Sequence, residues 1–483
     1  MVVGDVATGT QVAVIGGGPG GYAAALRAAQ LGKDVVLIEA EALGGVCLHK
    51  GCIPSKALLS AGEIYHSLPG LAARGINVAG ASLDMAKLQQ WKDDVVNRLA
   101  AGLNQLCRSR DVQIIQGRAR FTGPRQLAVS GPGGNETIEF EHAVIATGSL
   151  ARGLPGFAFD GKAVLNAGAI LRLKEIPPRL LVIGGGYIGL ELGTFFASVG
   201  SRVTIVEAMD RLLPGFDPEL TATLTPSLER LGITTLVKAR AEGWERADDG
   251  SLQVAVFQEE GGERQRQVVP CDLILVAVGR RPDTDDLGLD AAGVAVDDSG
   301  YITVDEQCRT SVDRIFAVGD VTGEPLLAHK AYQQGLAAAE AIAGLPAAFA
   351  PTAIPAVVFT QPELASVGMT EDEARRAGYD VRVGRFPFQA LGRAVSTDAA
   401  AGFVKVVADA ASQVVLGVQM AGKDVSTLIS EAALALEMGA RLEDLALTVH
   451  PHPTMGEALM EAALAAMGQP LHMMSPKTVT PDS

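Results

Sequence analysis

A glycine-rich phosphate-binding turn occurs twice in this chain, each time between two strands and at the head of a helix. Gln11-Val12-Ala13-Val14-Ile15 is a compact β-prone run that enters Gly16-Gly17-Gly18-Pro19-Gly20-Gly21, and an Ala-rich helical pattern follows from Tyr22 to Leu31. The next strand, Asp34 to Ile38, ends at Glu39. In the second copy Arg179-Leu180-Leu181-Val182-Ile183 leads into Gly184-Gly185-Gly186-Tyr187-Ile188-Gly189, and the strand Arg202 to Val206 ends at Glu207. In both copies the acid stands 18 residues after the third glycine. A lone G-x-G-x-x-G is weak, but two in full βαβ context with matched acids specify two dinucleotide-binding units. Gly16 permits the turn, Gly18 lets backbone N–H groups approach a pyrophosphate, and Gly21 allows the helix to pack close to the strand. The helix N-terminus adds a favourable partial charge for phosphate. Glu39 and Glu207 stand where a carboxylate accepts hydrogen bonds from ribose hydroxyls, and a carboxylate at Glu207 favours NAD over NADP by repelling a 2′-phosphate. Arg211 nearby reads as a solvated surface residue.

The remaining length must form further domains, because 483 residues exceed what one core accommodates. The 56 glycines show no period of three, which excludes collagen and suits many tight strand-to-helix turns. A net charge of −15 argues against a general nucleic-acid binder. Met1 to Thr10 carries no positive n-region, and no apolar run approaches a membrane span, so a cytoplasmic location is expected.

Cys47 and Cys52 lie just downstream of the first turn, in Gly44-Gly45-Val46-Cys47-Leu48-His49-Lys50-Gly51-Cys52-Ile53-Pro54-Ser55-Lys56. Positions five apart on a regular helix are rotated by roughly 140°. A disulfide therefore needs an irregular turn, which Gly51 permits. A structural pair is the competing reading. In a reducing compartment a lasting structural bridge is disfavoured, so a disulfide here is expected to be catalytic and to exchange electrons with a cofactor on the preceding turn. Two dinucleotide sites beside a dithiol suggest a relay of nicotinamide, flavin and disulfide. Cys107, Cys271 and Cys308 are far apart, offer no metal-ligand spacing, and read as small buried side chains.

Several later strands end in small residues. His142-Ala143-Val144-Ile145 precedes Ala146-Thr147-Gly148, and Asp272 to Val276 precedes Ala277-Val278-Gly279-Arg280. Arg314-Ile315-Phe316-Ala317-Val318-Gly319-Asp320 carries a carboxylate at its tip. Such strand ends face ligands in doubly wound sheets. From about Thr352 no dinucleotide fingerprint occurs. Strand-like runs at Ala356 to Phe359 and Phe403 to Ala408, then a helix from Val425 to Met438, indicate a separate α+β domain.

With both fingerprints, the dithiol, Gly319-Asp320 and Thr448-Val449-His450-Pro451-His452-Pro453-Thr454 in this order, the chain resembles the flavin-dependent pyridine nucleotide–disulfide oxidoreductases. The resemblance runs from about Gln11 to Met467 and is most specific at Gly44 to Leu59 and Thr448 to Thr454. Leu327-Ala328-His329-Lys330-Ala331 and Ile429-Ser430-Glu431 add to it. It implies an α/β fold with two Rossmann-like domains and a C-terminal α+β dimerisation domain. The implied boundaries are 1–150 and 281–350 for the two parts of an FAD domain, 151–280 for an NAD domain and 351–483 for dimerisation.

By this resemblance Cys47 exchanges with substrate sulfur and Cys52 sits against the flavin. Lys56 lies near the reactive flavin nitrogen and pairs with Glu191. Asp320 holds the ribityl chain, Ala328 approaches the flavin through its backbone, and Ala146, Thr147 and Gly148 belong to the same site. The NAD site takes Gly184 to Ile188, Glu207 and Ala277 to Arg280. His452 is the acid–base residue, oriented by Glu457, while His450 and His329 are structural. The bland competitors are a surface lysine at Lys56 and a turn cap at Asp320. Glu191, on an apolar helix face, needs a partner to offset its desolvation.

The branch of the family most resembled oxidises protein-bound dihydrolipoyl groups with NAD+, which implies a lipoylated protein partner and a homodimer. Three features depart from its usual pattern: His49-Lys50 between the cysteines, Gln334 in place of a frequent glutamate, and Gln361 in place of a histidine or acid. They bear on substrate preference. Rival readings are an NAD(P)H-dependent reductase of glutathione or another disulfide, opposed by Glu207, and a non-catalytic subunit that docks lipoyl proteins, opposed by the intact cysteines and His452. A mercuric reductase would need a cysteine pair that the tail Leu471 to Ser483 lacks.

Overall fold

In the computed structural model residues 8–260 and 263–474 are described; the tail beyond 474, read above for its lack of cysteines, lies outside them. The chain divides into two compact units, Met1–Ile176 with Leu273–Ala350 and Pro177–Asp272 with Pro351–Ser483.

The first unit is built on β1 (Thr8–Ile15), α1 (Pro19–Gln30) and β2 (Val35–Glu39). The helix begins at Pro19, three residues before the expected Tyr22, because proline's fixed φ suits a first helical turn that needs no N–H donor. β1 lies between β2 and the long strand Gly134–Ile145, parallel to both. Val12, Val14, Val35, Leu37 and Val144 are fully buried or nearly so, as expected of parallel strands covered on both faces. The short strand Ile315–Ala317 pairs in parallel with the end of Gly134–Ile145. Ile15 stands opposite Ile145, and Ile145 opposite Ala317, so three strands finish at one level. The turns that follow them, beginning at Gly16, Ala146 and Val318, are thereby set side by side, and hydrogen bonds from Ala146 N to Ile15 O (2.8 Å) and Val318 N to Ile145 O (2.9 Å) lock that edge.

Helix Ala328–Ile342 packs directly on α1. A Cβ on Gly335 would come within 2.4 Å of Gly20 O, so the two helices touch through their backbones. Arg27 and Glu340 pair across the contact at 2.6 Å. Leu273–Val276 pairs in parallel with Val164–Leu165, and Arg280–Pro282 pairs antiparallel with Ser149–Ala151.

In the second unit β3 (Arg179–Ile183), α4 (Tyr187–Ser198) and β4 (Arg202–Val206) repeat the β1–α1–β2 arrangement; α2 and α3 are the helices Gly45–Lys50 and Cys52–Ser67 of the first unit. An antiparallel three-stranded sheet follows, β5 (Ala239–Arg246), β6 (Leu252–Glu260) and β7 (Glu263–Cys271), which the sequence patterns did not indicate. From Pro351 a five-stranded antiparallel sheet forms in the order Ala356–Val358, Glu363–Gly368, Val415–Gly422, Phe403–Asp409, Val381–Pro387. Its core includes Phe386, Val404, Val418, Met420 and Ile429, with helix Val425–Glu437 and α5 (Glu457–Ala466) contributing apolar faces.

Lys405 lies in the middle of this sheet, 2% exposed, and its Nζ is 2.5 Å from Asp217 and 3.2 Å from Glu219. Asp217 is equally buried and also accepts from Glu219 N–H. Lys405→Ala strands a buried carboxylate, so chemical denaturation is expected to show a loss of about 3–5 kcal/mol.

Candidate active site

The two glycine turns have nearly superimposable local chemistry. In the first, Gly17 N–H donates to Glu39 Oε2 at 2.6 Å and Glu41 N–H to Glu39 Oε1 at 2.7 Å. In the second, Gly185 N–H donates to Glu207 Oε2 at 2.6 Å and Met209 N–H to Glu207 Oε1 at 2.7 Å. Each acid therefore braces its own turn as well as ending its strand. The third glycine is fixed sterically: a Cβ on Gly21 would lie 1.8 Å from Gly16 O, and one on Gly189 2.0 Å from Gly184 O. Gly16 and Gly184 take positive φ of 99° and 111°, which glycine adopts without penalty. Beside Gly18 and Gly186, the helix N-caps, a Cβ would meet nothing within 4 Å, and neither helix end is closed by a capping side chain. Tyr187 is exposed and Ile188 half-buried on the first turn of α4.

The dithiol follows the first turn directly. α2 carries Cys47 and stops at Gly51; α3 starts at Cys52. This break is the irregularity that a Cys47–Cys52 bridge requires. The two cysteines are not joined by a disulfide here; Cys47 is half-buried and Cys52 exposed. A hydrogen bond with Cys52, reinforced by burial, pushes the Cys47 thiol well above the ordinary thiol value, and the Lys56 charge opposes this. Lys50 pairs outward with Glu41, and His49 Nε2 bonds Leu43 O at 2.9 Å, so neither intervening residue points its polar group at a thiol.

On the adjacent strand ends, Asp320 accepts from Ser149 Oγ at 2.5 Å. Arg280 donates from Nε to Ser149 Oγ at 2.7 Å and from its terminal nitrogen to Ser149 O, and its Nε lies 3.9 Å from Asp320. Its backbone pairs with Ala151, which carries the side chain to Ser149. Ala277, Val278 and Gly279 form the turn between this strand and Leu273–Val276. Thr147 Oγ1 is buried without a hydrogen-bond partner, an uncommon state for a polar atom. Ala328 opens its helix with no capping side chain, and Gly148 has positive φ and open space beside it. Gln334 accepts from Gly319 N–H at 2.8 Å, so the replacement of a frequent acid still anchors the Asp320 turn.

In the second unit Glu191 is buried on α4 and accepts from Phe359 N–H at 3.1 Å. His452 is 78% exposed and uses Nδ1 on Glu457 Oε1 at 2.8 Å; among the described residues its Nε2 has no hydrogen bond. Glu457 also accepts from Thr454 N–H at 2.8 Å. Burial raises the Glu457 carboxyl, but His452, the Thr454 N–H and His472 together outweigh it and hold it below the usual carboxylate value. His450 commits both ring nitrogens, to Thr448 O and to Glu431 Oε1, and is enclosed by them.

Residues 10–335 match the family described as pyridine nucleotide-disulphide oxidoreductase, and residues 354–463 match its dimerisation domain. The chain belongs to this family. It is 48% identical over 475 residues to "Dihydrolipoyl dehydrogenase 2" of Haloarcula marismortui, covering 98% of this chain and 100% of that one. It is 49% identical to the dihydrolipoyl dehydrogenase of Thermus scotoductus, covering 96% and 98%. Among solved structures, LpdA of Mycobacterium tuberculosis superposes with a TM-score of 0.87 at 27% identity, covering 94% of this chain and 99% of that one. No helix among the described residues is long and apolar enough to cross a membrane.

For a member of this family the residues present fit two dinucleotides. The open N-caps at Gly18 and Gly186, the close-packed third glycines and the orphaned Thr147 hydroxyl are what a bound pyrophosphate and its attached groups would satisfy. Ser149 was missed by the motif reading because a lone serine after Gly148 carries no pattern; only tertiary pairing brings it to Asp320. The Phe359 N–H partner of Glu191 was invisible for the same reason.

Because Glu457 is held low, its pairing contributes stability that is complete above the usual carboxylate value of 4.5 and is lost as pH falls through the lowered value. The Tm difference between wild type and Glu457→Gln is expected to shrink as pH falls below about 4, as scanning calorimetry at several pH values would show.

Proposed function

We propose that the chain is a dihydrolipoyl dehydrogenase, oxidising protein-bound dihydrolipoyl groups and reducing NAD+ through a reversible Cys47–Cys52 disulfide. The observation that carries this is near-full-length likeness to proteins of that name, joined to a dithiol at a helix break directly after the first nucleotide turn. When bound, FAD and NAD+ supply the electron and hydride transfer.

Residues 1–150 and 281–350 form the FAD domain, 151–280 the NAD domain and 351–483 the dimerisation domain. Gly16, Gly18, Gly21, Glu39, Ala146, Thr147, Gly148, Asp320 and Ala328 would hold FAD, with Arg280 and Ser149 orienting Asp320 and Lys56 beside the dithiol. Lys56 would also pair with Glu191. Gly184 to Gly189, Glu207 and Ala277 to Arg280 would hold NAD+, and Glu207 would reject a 2′-phosphate.

In the exchange step a substrate thiolate attacks Cys47 sulfur, which breaks the Cys47–Cys52 bond and frees Cys52. The second substrate thiolate then displaces Cys47, closing the lipoyl disulfide and leaving the enzyme dithiol. Both substrate protons must leave. His452, with Nε2 free and Nδ1 held on Glu457, is the base that takes them. Cys47, whose thiol holds its proton tightly, receives one of these protons back from His452 as it is displaced. The enzyme is a two-fold homodimer in which His452 and Glu457 of one subunit serve Cys47 of the other. It acts in the cytoplasm on a lipoylated carrier.

The deciding assay is dihydrolipoamide-dependent NADH formation by the purified yellow protein, with NAD+ clearly preferred to NADP+. Cys47→Ser is expected to retain flavin and lose turnover, and Cys52→Ser to lose any thiolate–flavin absorption band. Normal turnover in either variant would remove the dithiol from the mechanism.

Shared sites can be tested by mixing subunits of Cys47→Ser with subunits of His452→Gln. In a trans arrangement each mixed dimer has one intact site, and random pairing returns about a quarter of wild-type activity. Verified heterodimers without activity would place His452 and Cys47 in the same subunit.

A further inference from the structure

A cavity of about 450 Å³ in the first unit is lined by Arg125, Glu141, His142, Arg309, Asp313 and Arg314, and none of the roles above uses it. His142 stands opposite Val12, and Arg314 immediately precedes the strand Ile315–Ala317. The cavity therefore lies where the parallel strands begin, at the opposite end of the sheet from the turns at Gly16, Ala146 and Val318. Arg125 comes from the tight turn between the antiparallel strands Arg118–Gly123 and Gln126–Gly131. Arg309 comes from the segment that folds back against Phe316. Four separate pieces of chain meet in one hollow, with Arg309, Arg314 and His142 half-buried and Arg125 exposed.

The three guanidinium groups are gathered here without counterions. Glu141 and Asp313 stand in the same wall, yet among the described residues neither forms an ion pair with any of them. The Arg125 and Arg314 side chains make no hydrogen bond among those residues either. Arg309 is held in place by neutral groups: Nε donates to Gln307 Oε1 at 3.1 Å and a terminal nitrogen to Asp313 O at 3.1 Å. Its guanidinium carbon lies 5.1 Å from the Phe316 ring centroid. His142 packs on the same ring, with 6.3 Å between centroids, and among the described residues neither of its nitrogens has a hydrogen-bond partner. Burial holds the His142 pKa below the usual imidazole value; Glu141 opposes this, and the Lys33, Arg314 and Arg309 charges add to it. A neutral imidazole thus sits among unpaired cations, in a chain whose net charge is −15.

We propose that this cavity binds a small tetrahedral dianion of the phosphate class, held by Arg125, Arg309, Arg314 and His142. Guanidinium groups donate several hydrogen bonds and accept none, so together they call for an acceptor that also carries negative charge. Donors that arrive from four pieces of chain suit oxygens pointing in several directions, as in a tetrahedral oxyanion, better than one planar carboxylate. The charge count favours a dianion: three arginines against two acids leave one net positive charge, and a protonated His142 makes two. Binding therefore draws a proton onto His142, because the anion offsets the cations that keep the ring neutral. The dianion can be a free ion or the phosphate ester of a small metabolite.

The test is calorimetry on flavin-loaded full-length protein at fixed ionic strength, with sulfate, inorganic phosphate and glycerol 3-phosphate as probes. Wild type is compared with Arg125→Gln/Arg314→Gln, the charge-retaining Arg125→Lys/Arg314→Lys, and His142→Gln. The first double variant is expected to bind the probes about tenfold more weakly, and the lysine variant to keep most of the affinity. Helix N-termini at the glycine turns also attract anions, but these substitutions leave them intact, so only binding lost in the variant counts. Sulfate keeps its charge across the pH range, so titrations near pH 7 in two buffers of different ionisation enthalpy report proton uptake by the protein. Uptake is expected in wild type and not in His142→Gln, and wild-type sulfate affinity is expected to rise as pH falls from 8 to 6. Tighter binding of glycerol 3-phosphate than of inorganic phosphate would assign the cavity to a phosphate ester, and equal or weaker binding to the free ion. No binding, or equal affinities in wild type and the first double variant, would overturn the proposal and leave a solvated sheet edge. Proton uptake that is absent, or unchanged in His142→Gln, would overturn the assignment of His142.

Discussion

The register of three parallel strand ends organises the first unit. Because Ile15, Ile145 and Ala317 finish at one level, the glycine turn, the Ala146-Thr147-Gly148 turn and the Gly319-Asp320 turn emerge on a single edge. The strands hold this level through apolar burial on both faces and through two backbone hydrogen bonds just beyond their ends. In a parallel sheet a slip of one residue would reverse the side chains of a whole strand. Here it would also carry Asp320 or Thr147 away from the first turn. The dithiol depends on the same edge, since α2 is anchored by Gly44 N–H donating to Gly17 O at 2.8 Å, within the turn itself.

The acids at the ends of β2 and β4 do more than wait for a ribose. Each carboxylate accepts one backbone N–H on each oxygen from the turn or loop it faces, which leaves further acceptor sites open. A neutral replacement at either acid is therefore expected to loosen its turn as well as remove the charge. The close agreement of the two copies follows from shared sterics: the third glycine permits helix and strand to touch, and that contact sets where the acid meets the second glycine.

Charge is handled differently in the interior and at the site. Lys405 and Asp217 are buried and fully paired, which fixes one packing arrangement inside the second unit. His452 and Glu457 pair with one nitrogen left open, the arrangement that proton transfer requires. His450, two residues away, spends both nitrogens and is enclosed. The contrast between neighbouring histidines is one of partners and exposure, which residue type alone does not encode.

Much was legible without coordinates. Local rules suffice for a glycine turn between a β-prone run and a helical one, for an acid at a set distance, and for a helix that must break between Cys47 and Cys52, because each depends on residues within about one βαβ unit. Family, cofactor class and the dithiol followed from their order along the chain. Tertiary structure decided what depends on distant segments meeting. It drew Arg280 to Ser149 and Asp320, contacts that its position after Gly279 does not announce. It paired Ser149–Ala151 with Arg280–Pro282, short strands with little sequence signal. It also built the β5–β6–β7 sheet, in which Leu252, Val254 and Val256 become one buried face only when three strands align. Hydrogen-bond partners of this kind are chosen by register and packing across hundreds of residues, and a local pattern carries no record of them.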